Sequence, residues 1–178
     1  FHYLLQAMQE ILQNCPEAHI KVAGISVLGV NGIKSRIKIP AYGKYLRRLI
    51  LKNRLEGKVR VLGNLSAEEM KREYLSAQIF VCPSAVENSP NSVAEGQLLG
   101  VPVAASRTGG IPDVVKDGVS GLLFEKGNVH ELAACVSRIL TDKQLAKELS
   151  ASERETAAKL YNGENNYQKL IEIYQSIE

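Results

Sequence analysis

The chain has 178 residues and a mass of 19.5 kDa, enough for one globular domain and short for two. With 45% apolar and 23% charged residues it can bury a sizeable core, which excludes wholesale disorder. Three distant cysteines (Cys15, Cys82, Cys135), three scattered histidines and a net charge of +3 argue against a disulfide framework and a metal enzyme.

No apolar run approaches the ~20 residues of a membrane-spanning helix, and nothing resembles a signal peptide, so a reduced, cytoplasmic setting is expected. The charge is unevenly spread. Residues 1–60 hold eleven Lys/Arg against three Glu, and the remainder holds eleven against sixteen acids. A block of this kind either solvates a helix face with its loops or meets phosphates, anionic lipid or nucleic acid. No aromatic–basic platform accompanies it, so no nucleic-acid partner is expected, and the solvated face is the simpler reading.

In chain order, Leu4, Leu5, Met8, Ile11 and Leu12 have helical spacing, and Pro16 ends that element. Residues 20–24 read as a short strand stopped by glycine, and residues 25–42 as an irregular loop. Tyr45, Leu46, Leu49, Ile50 and Leu55 mark a helix with Arg47, Arg48 and Lys52 on its outer side. Residues 59–62 are a strand. Ser66 followed by Glu69 is a capping box, and the helix it opens runs to about residue 76. Residues 78–82 form a strand, 90–99 a helix, and 101–105 a strand whose proline lies near its start. A short helix after Gly110, a strand over 122–124 and a helix over 128–140 follow, the last with Asn128 and Glu131 repeating the cap signature. Residues 142–161 are helical, and Tyr167, Leu170, Ile171, Tyr174 and Ile177 form the apolar stripe of a final helix.

Apolar strands joined through helices imply parallel pairing with both faces covered. The fold class is therefore α/β, a three-layer Rossmann-like parallel sheet, with ligands expected outside the carboxyl ends of the strands. The chain opens directly in an amphipathic helix without a strand before it, so a fragment of a longer protein is expected.

The segment 81–103 is the richest in chemistry. A strand ends, a polar loop carries Glu87, Pro90 is placed at the first helical position, and Glu95 falls in the second turn. The amides of Asn91, Ser92 and Val93 then point outward with the positive end of the helix dipole, a natural seat for phosphate. Carboxylates repel phosphate but accept from vicinal hydroxyls, so amides flanked by acids describe a nucleotide-sugar site. By spacing alone, Glu95 reads equally as an ordinary exposed glutamate, and Glu87 equally as a partner of the helix dipole.

Glu87 and Glu95, followed by Gly-Gln-Leu-Leu-Gly-Val-Pro-Val and by Arg-Thr-Gly-Gly-Ile-Pro-Asp at 107–113, resemble the C-terminal, donor-binding half of a GT-B glycosyltransferase, and within that group the large retaining family 4. The resemblance covers nearly the whole chain. It implies a domain that holds a nucleoside diphosphate sugar against an acceptor, a saccharide or a lipid-linked one, bound by a separate N-terminal domain. Glu95 would bind the ribose hydroxyls, and Glu87 would act beside the reacting sugar as the catalytic residue. The amides of Asn91, Ser92 and Val93 would contact the diphosphate, the turn Asn64, Leu65 and Ser66 would border the base, and Thr108, Gly109 and Gly110 would line the cleft. No metal or other cofactor is implied.

Two departures stand out. Asn88, Ser89 and Pro90 replace the glycine and bulky apolar residue common after the first glutamate, which implies a more polar sugar pocket. The arginine and lysine that the family aims at the diphosphate would precede residue 1, as would a strand near the middle of the sheet. Two alternatives share the donor pocket: a nucleotide-sugar epimerase, and a donor-binding module inactive on its own. Peripheral membrane contact through the basic helix is a further expectation, although that helix lacks a broad apolar face.

Overall fold

The structure is a computed structural model that describes residues 1–24 and 40–177. Most of the predicted loop at 25–42 lies outside these residues. Eight helices and five strands are present among the described residues: α1 (His2–Asn14), β1 (Ile20–Ala23), α2 (Ala41–Lys52), β2 (Val59–Gly63), α3 (Ala67–Ser76), β3 (Phe80–Cys82), α4 (Asn91–Leu99), β4 (Val103–Ser106), α5 (Ile111–Val114), β5 (Leu122–Phe124), α6 (Val129–Thr141), α7 (Lys143–Leu160) and α8 (Gly163–Gln175). Among the described residues no helix is long and apolar enough to cross a membrane.

All strand pairing is parallel, as the helical crossovers demand. The strands form two ladders, β1–β2 and β3–β4–β5, with no hydrogen-bonded pairing between them among the described residues. The ladders nevertheless share a core. Leu5, Met8 and Ile11 of α1 and Leu132 and Val136 of α6 pack in one cluster with Ile20, Ala104, Leu122 and Phe124. A second, smaller cluster of Cys82, Val93, Val103, Ala105, Ile111, Val115 and Leu123 underlies α4 and α5.

Local chemistry explains the element ends. The Ser66–Glu69 capping box is complete, with Glu69 N–H donating to Ser66 Oγ at 3.3 Å and Ser66 N–H donating to Glu69 Oε2 at 2.8 Å. Those hydrogen bonds hold the Glu69 carboxyl below its usual range. At α6 the box is incomplete: Asn128 Oδ1 accepts from Glu131 N–H at 3.1 Å, but Glu131 Oε2 turns to the Glu125 amide at 2.7 Å. Strand β4 starts at Val103, because Pro102 has no N–H and contributes only its carbonyl, which accepts from Phe80 N–H at 2.9 Å.

Helix α2 begins four residues before its first predicted apolar position and buries Gly43, Leu46 and Leu49. Tyr45, assigned to the apolar stripe by its spacing, is exposed and accepts from Gln6 Nε2 at 3.4 Å, while Leu55 is buried beyond the helix end. Arg48 and Lys52 are on the outer side as expected, whereas Arg47 is half-buried. Helix α8 buries none of its residues, so its predicted stripe faces solvent apart from the half-buried Ile171.

Candidate functional site

Strand β3 delivers Cys82 to the rim and passes into loop 83–90, which carries Glu87. Hydrogen bonds from several directions fix that loop. The Ser106 hydroxyl, at the end of β4, donates to the Ser84 carbonyl at 2.6 Å, and the Gly110 amide donates to the Asn88 carbonyl at 3.0 Å. The half-buried Glu87 side chain accepts from the Ser84 hydroxyl at 3.2 Å through Oε2 and from the Asn88 amide at 3.2 Å through Oε1. Its carboxylate is therefore oriented through both oxygens.

Gly109 and Gly110 sit directly against this loop. A Cβ on Gly109 would lie 1.6 Å from the Glu87 carbonyl oxygen, and one on Gly110 would lie 2.2 Å from that of Asn88. Gly109 also has φ 55°, a left-handed conformation that side chains disfavour. Backbone meets backbone here, so the glycines act on the site by admitting the Glu87 loop. Gly110 has an ordinary φ of −82°, which makes it the cleaner test. Gly110→Ala is expected to push the loop outward and to cost about 1–3 kcal/mol in thermal or urea unfolding, with Gly163→Ala, where φ is not left-handed and no atom lies within 4 Å of the added Cβ, as the comparison for glycine replacement in the open.

Pro90 is the N-cap of α4 (φ −76°, ψ 101°), one position earlier than its predicted place inside the helix. The first turn is thus Asn91, Ser92 and Val93. The Val93 amide donates back to the Pro90 carbonyl at 3.0 Å, and the Val93 side chain is fully buried. Of the three amides anticipated for phosphate, Asn91 and Ser92 keep theirs without a partner among the described residues. Helix α4 has neither a side-chain cap nor an acid in its first turn, so its positive end is not neutralised locally.

Glu95 is exposed on the second turn of α4. Beside it stands Tyr74 of α3, a residue that the sequence reading did not single out. The Tyr74 hydroxyl donates to the Ser92 carbonyl at 2.9 Å, and its ring packs on Phe80 with centroids 5.3 Å apart. Burial, followed by the charge of the nearby Glu95 carboxylate, raises the Tyr74 phenol well above its usual range. Cys82 is raised first by burial, with Glu87 adding a like-charge contribution, and Cys82 in turn acts on Tyr74. Glu87, Cys82, Tyr74 and Glu95 thus share one electrostatic neighbourhood at the carboxyl end of β3.

The turn at 64–66 follows β2 and opens α3. Asn64 is exposed and Leu65 half-buried, whereas the amide and hydroxyl of Ser66 are both engaged by Glu69, leaving backbone groups of Asn64 and Leu65 as the available ones. Thr108 lies in the turn after β4, with its hydroxyl buried and without a hydrogen-bond partner among the described residues. Arg107, the cation adjoining that turn, is committed elsewhere: it pairs with Asp117 and, at 3.3 Å, with Glu125. Among the described residues no group of three or more His, Cys, Asp or Glu side chains is arranged to hold a metal ion.

The fold is that of one half of a GT-B glycosyltransferase, as its likeness to solved structures shows. The structure is similar to HepE of Anabaena, solved in complex with UDP, with a TM-score of 0.82 at 23% identity over 98% of this chain and 44% of that one. It also resembles the sucrose-phosphate synthase of Thermosynechococcus elongatus, with a TM-score of 0.76 at 23% identity over 98% of this chain and 42% of that one.

The chain belongs to the family of glycosyl transferases group 1, whose model matches residues 1–156. A D-inositol 3-phosphate glycosyltransferase of Corynebacterium urealyticum is 30% identical over 176 residues, which are 99% of this chain and 40% of that protein. The sulfoquinovosyl transferase SQD2 of Arabidopsis thaliana is 33% identical over 100 residues, 54% of this chain and 20% of that protein. The chain spans about two fifths of the length of the curated relatives that it matches along its whole length.

Proposed function

We propose that this domain binds a nucleoside diphosphate sugar at the amino end of α4 and takes part in retaining transfer of the glycosyl group. The acceptor would be held by a further domain that this chain does not include. The observation that carries the reading is the uncapped first turn of α4, with the free Asn91 and Ser92 amides between the Glu87 and Glu95 carboxylates.

In this reading Asn91 and Ser92 bind the diphosphate, and Glu95 accepts from the ribose hydroxyls. Asn64 and Leu65 border the base through backbone groups. Glu87, oriented by Ser84 and the Asn88 amide, stands at the donor sugar. The bond from the anomeric carbon to the diphosphate oxygen breaks with its electron pair leaving on phosphate. Helix-terminal amides stabilise the charge as it develops. The acceptor oxygen bonds to the anomeric carbon on the same face and gives its proton to the departing phosphate. A lipid-linked acceptor at the cytoplasmic face of a membrane fits the same account, since Lys44, Arg48 and Lys52 are exposed on α2 and offer counter-charge to anionic headgroups.

UDP is the first probe, because HepE, of the same fold, was solved with it. Calorimetric titration of the intact protein with UDP, and with GDP and ADP, is expected to show one site for one of the three. Turnover of the matching nucleotide sugar should release the nucleoside diphosphate with the anomeric configuration retained in the product. Absence of binding for all three, or an inverted product, overturns the reading.

A further inference from the structure

Strands β3 and β4 are paired as far as Cys82 and Ala105. One residue beyond that pair, the link between the two chains is a side chain. Ser106, the last residue of β4 and 1% exposed, donates its hydroxyl proton to the Ser84 carbonyl at 2.6 Å. Ser106 is itself held from the other side: it is in register with Phe124 of β5, and its carbonyl accepts from the Thr108 amide at 2.8 Å. Ser84 thus receives, at its carbonyl, a donor fixed to the body of the domain. Its own hydroxyl donates to Glu87 Oε2 at 3.2 Å, so the Cys82 thiol, 3.6 Å from that hydroxyl, is the donor of their pair. Each proton is used once along the path from Ser106 through Ser84 to the Glu87 carboxylate.

The loop is anchored on both sides of its acid, by Ser106 at Ser84 and by the Gly110 amide at the Asn88 carbonyl. The second tether is a backbone group that any residue but proline supplies. The first depends on a hydroxyl at position 106. Neither touches the first turn of α4, which begins after Pro90. A carboxylate set before the ligand arrives spares the cost of ordering it on binding. We propose that Ser106 is a positioning residue for the glycosyl part of the donor: acting through Ser84, its hydroxyl sets the Glu87 carboxylate against the sugar and leaves the nucleotide end of the site unchanged. The inference rests on the reading that Glu87 stands at the donor sugar, and it adds the buried group that fixes how the sugar is met.

The test first titrates the intact wild-type protein with UDP, UDP-glucose, UDP-galactose and UDP-N-acetylglucosamine, and takes forward the sugar that changes the affinity most. That nucleotide sugar and UDP are then compared on Ser106→Ala, Ser84→Ala and the double variant. Ser106→Ala should bind UDP as the wild type does and lose about tenfold in affinity for the sugar-bearing ligand, the scale of one hydrogen bond to a charged group. Ser84→Ala, which keeps the carbonyl that Ser106 reaches, should show the same sugar-specific loss. The double variant should lose no more than either single change, because both interrupt one path.

A wild type indifferent to all three sugars overturns the placement of Glu87 at the sugar and this inference with it. A wild type that distinguishes a sugar, beside a Ser106→Ala protein that weakens for both ligands alike or for neither, overturns the role of Ser106 alone. Losses that add in the double variant also overturn it, since Ser106 would then act by another route. Should Ser106→Ala not fold, Ser106→Cys replaces it: the thiol fills the space and is a weaker donor, and the same sugar-specific loss is expected. A Ser106→Cys protein that keeps the wild-type affinity for both ligands overturns the inference.

Discussion

Glu95→Ala is expected to weaken UDP binding by about ten- to a hundredfold, the range for losing hydrogen bonds to a charged group. Its melting temperature should stay near that of the wild type. The two halves of this expectation have separate causes. Glu95 is exposed in the middle of α4, where alanine is an excellent helix former and no packing is lost. In the proposed reading, what disappears is the acceptor for the ribose hydroxyls. Isothermal titration beside a thermal melt reads both quantities on one sample, and unchanged affinity would count against the assignment of Glu95.

A large pH effect on stability should come from the opposite side of α4. Glu153 of α7 is fully buried, accepting from the Val103 amide at 2.8 Å through Oε1, while its Oε2 has no partner among the described residues. Burial pushes its carboxyl up to about 8, with the Val103 hydrogen bond pulling only partly the other way. A folded-state value above the unfolded one means that the folded chain binds the proton more tightly. Stability from this group is thus complete below about pH 4 and falls as pH rises through about 8. The loss, on the order of 3–5 kcal/mol, accumulates between those two pH values, where the unfolded carboxyl has ionised and the buried one still holds its proton. Glu153→Gln can keep the bond from Val103 and never charges. It should melt at or below the wild-type temperature near pH 5 and well above it near pH 9. Parallel melting curves for the two proteins across that interval would sink the explanation.

Much of the fold was legible because local chemistry and tertiary packing agree. Ser66 with Glu69, and the alternation of apolar runs, mark elements that the structure places within a few residues of their expected bounds. Which strands pair within each ladder was not legible, since an apolar strand carries no sign of which neighbour it bonds. Pro90 fits the N-cap and the first helical position equally well by residue type, and only the observed backbone angles separate them. Glu87 and Glu95 stood out through their context, whereas Tyr74 resembled a routine core aromatic, because the value of its hydroxyl depends on a helix that begins fifteen residues after α3 ends. Glu153 was hidden for a related reason: in a polar helix a glutamate reads as solvated, and its burial comes from β4, fifty positions earlier.

Helix α8 has a consequence for the chain as a thermodynamic object. None of its residues is buried, and Tyr174 and Ile177 are 63% and 75% exposed. Little apolar area leaves water when this segment coils, so its helicity rests on the Asn162 cap and on backbone bonds open to solvent. Opening free energies differ from one region of a protein to another, and α8 belongs at the low end of that range. The thirteen residues of α8 are therefore expected to exchange their amide protons ahead of α7 and the core, which hydrogen exchange would read directly.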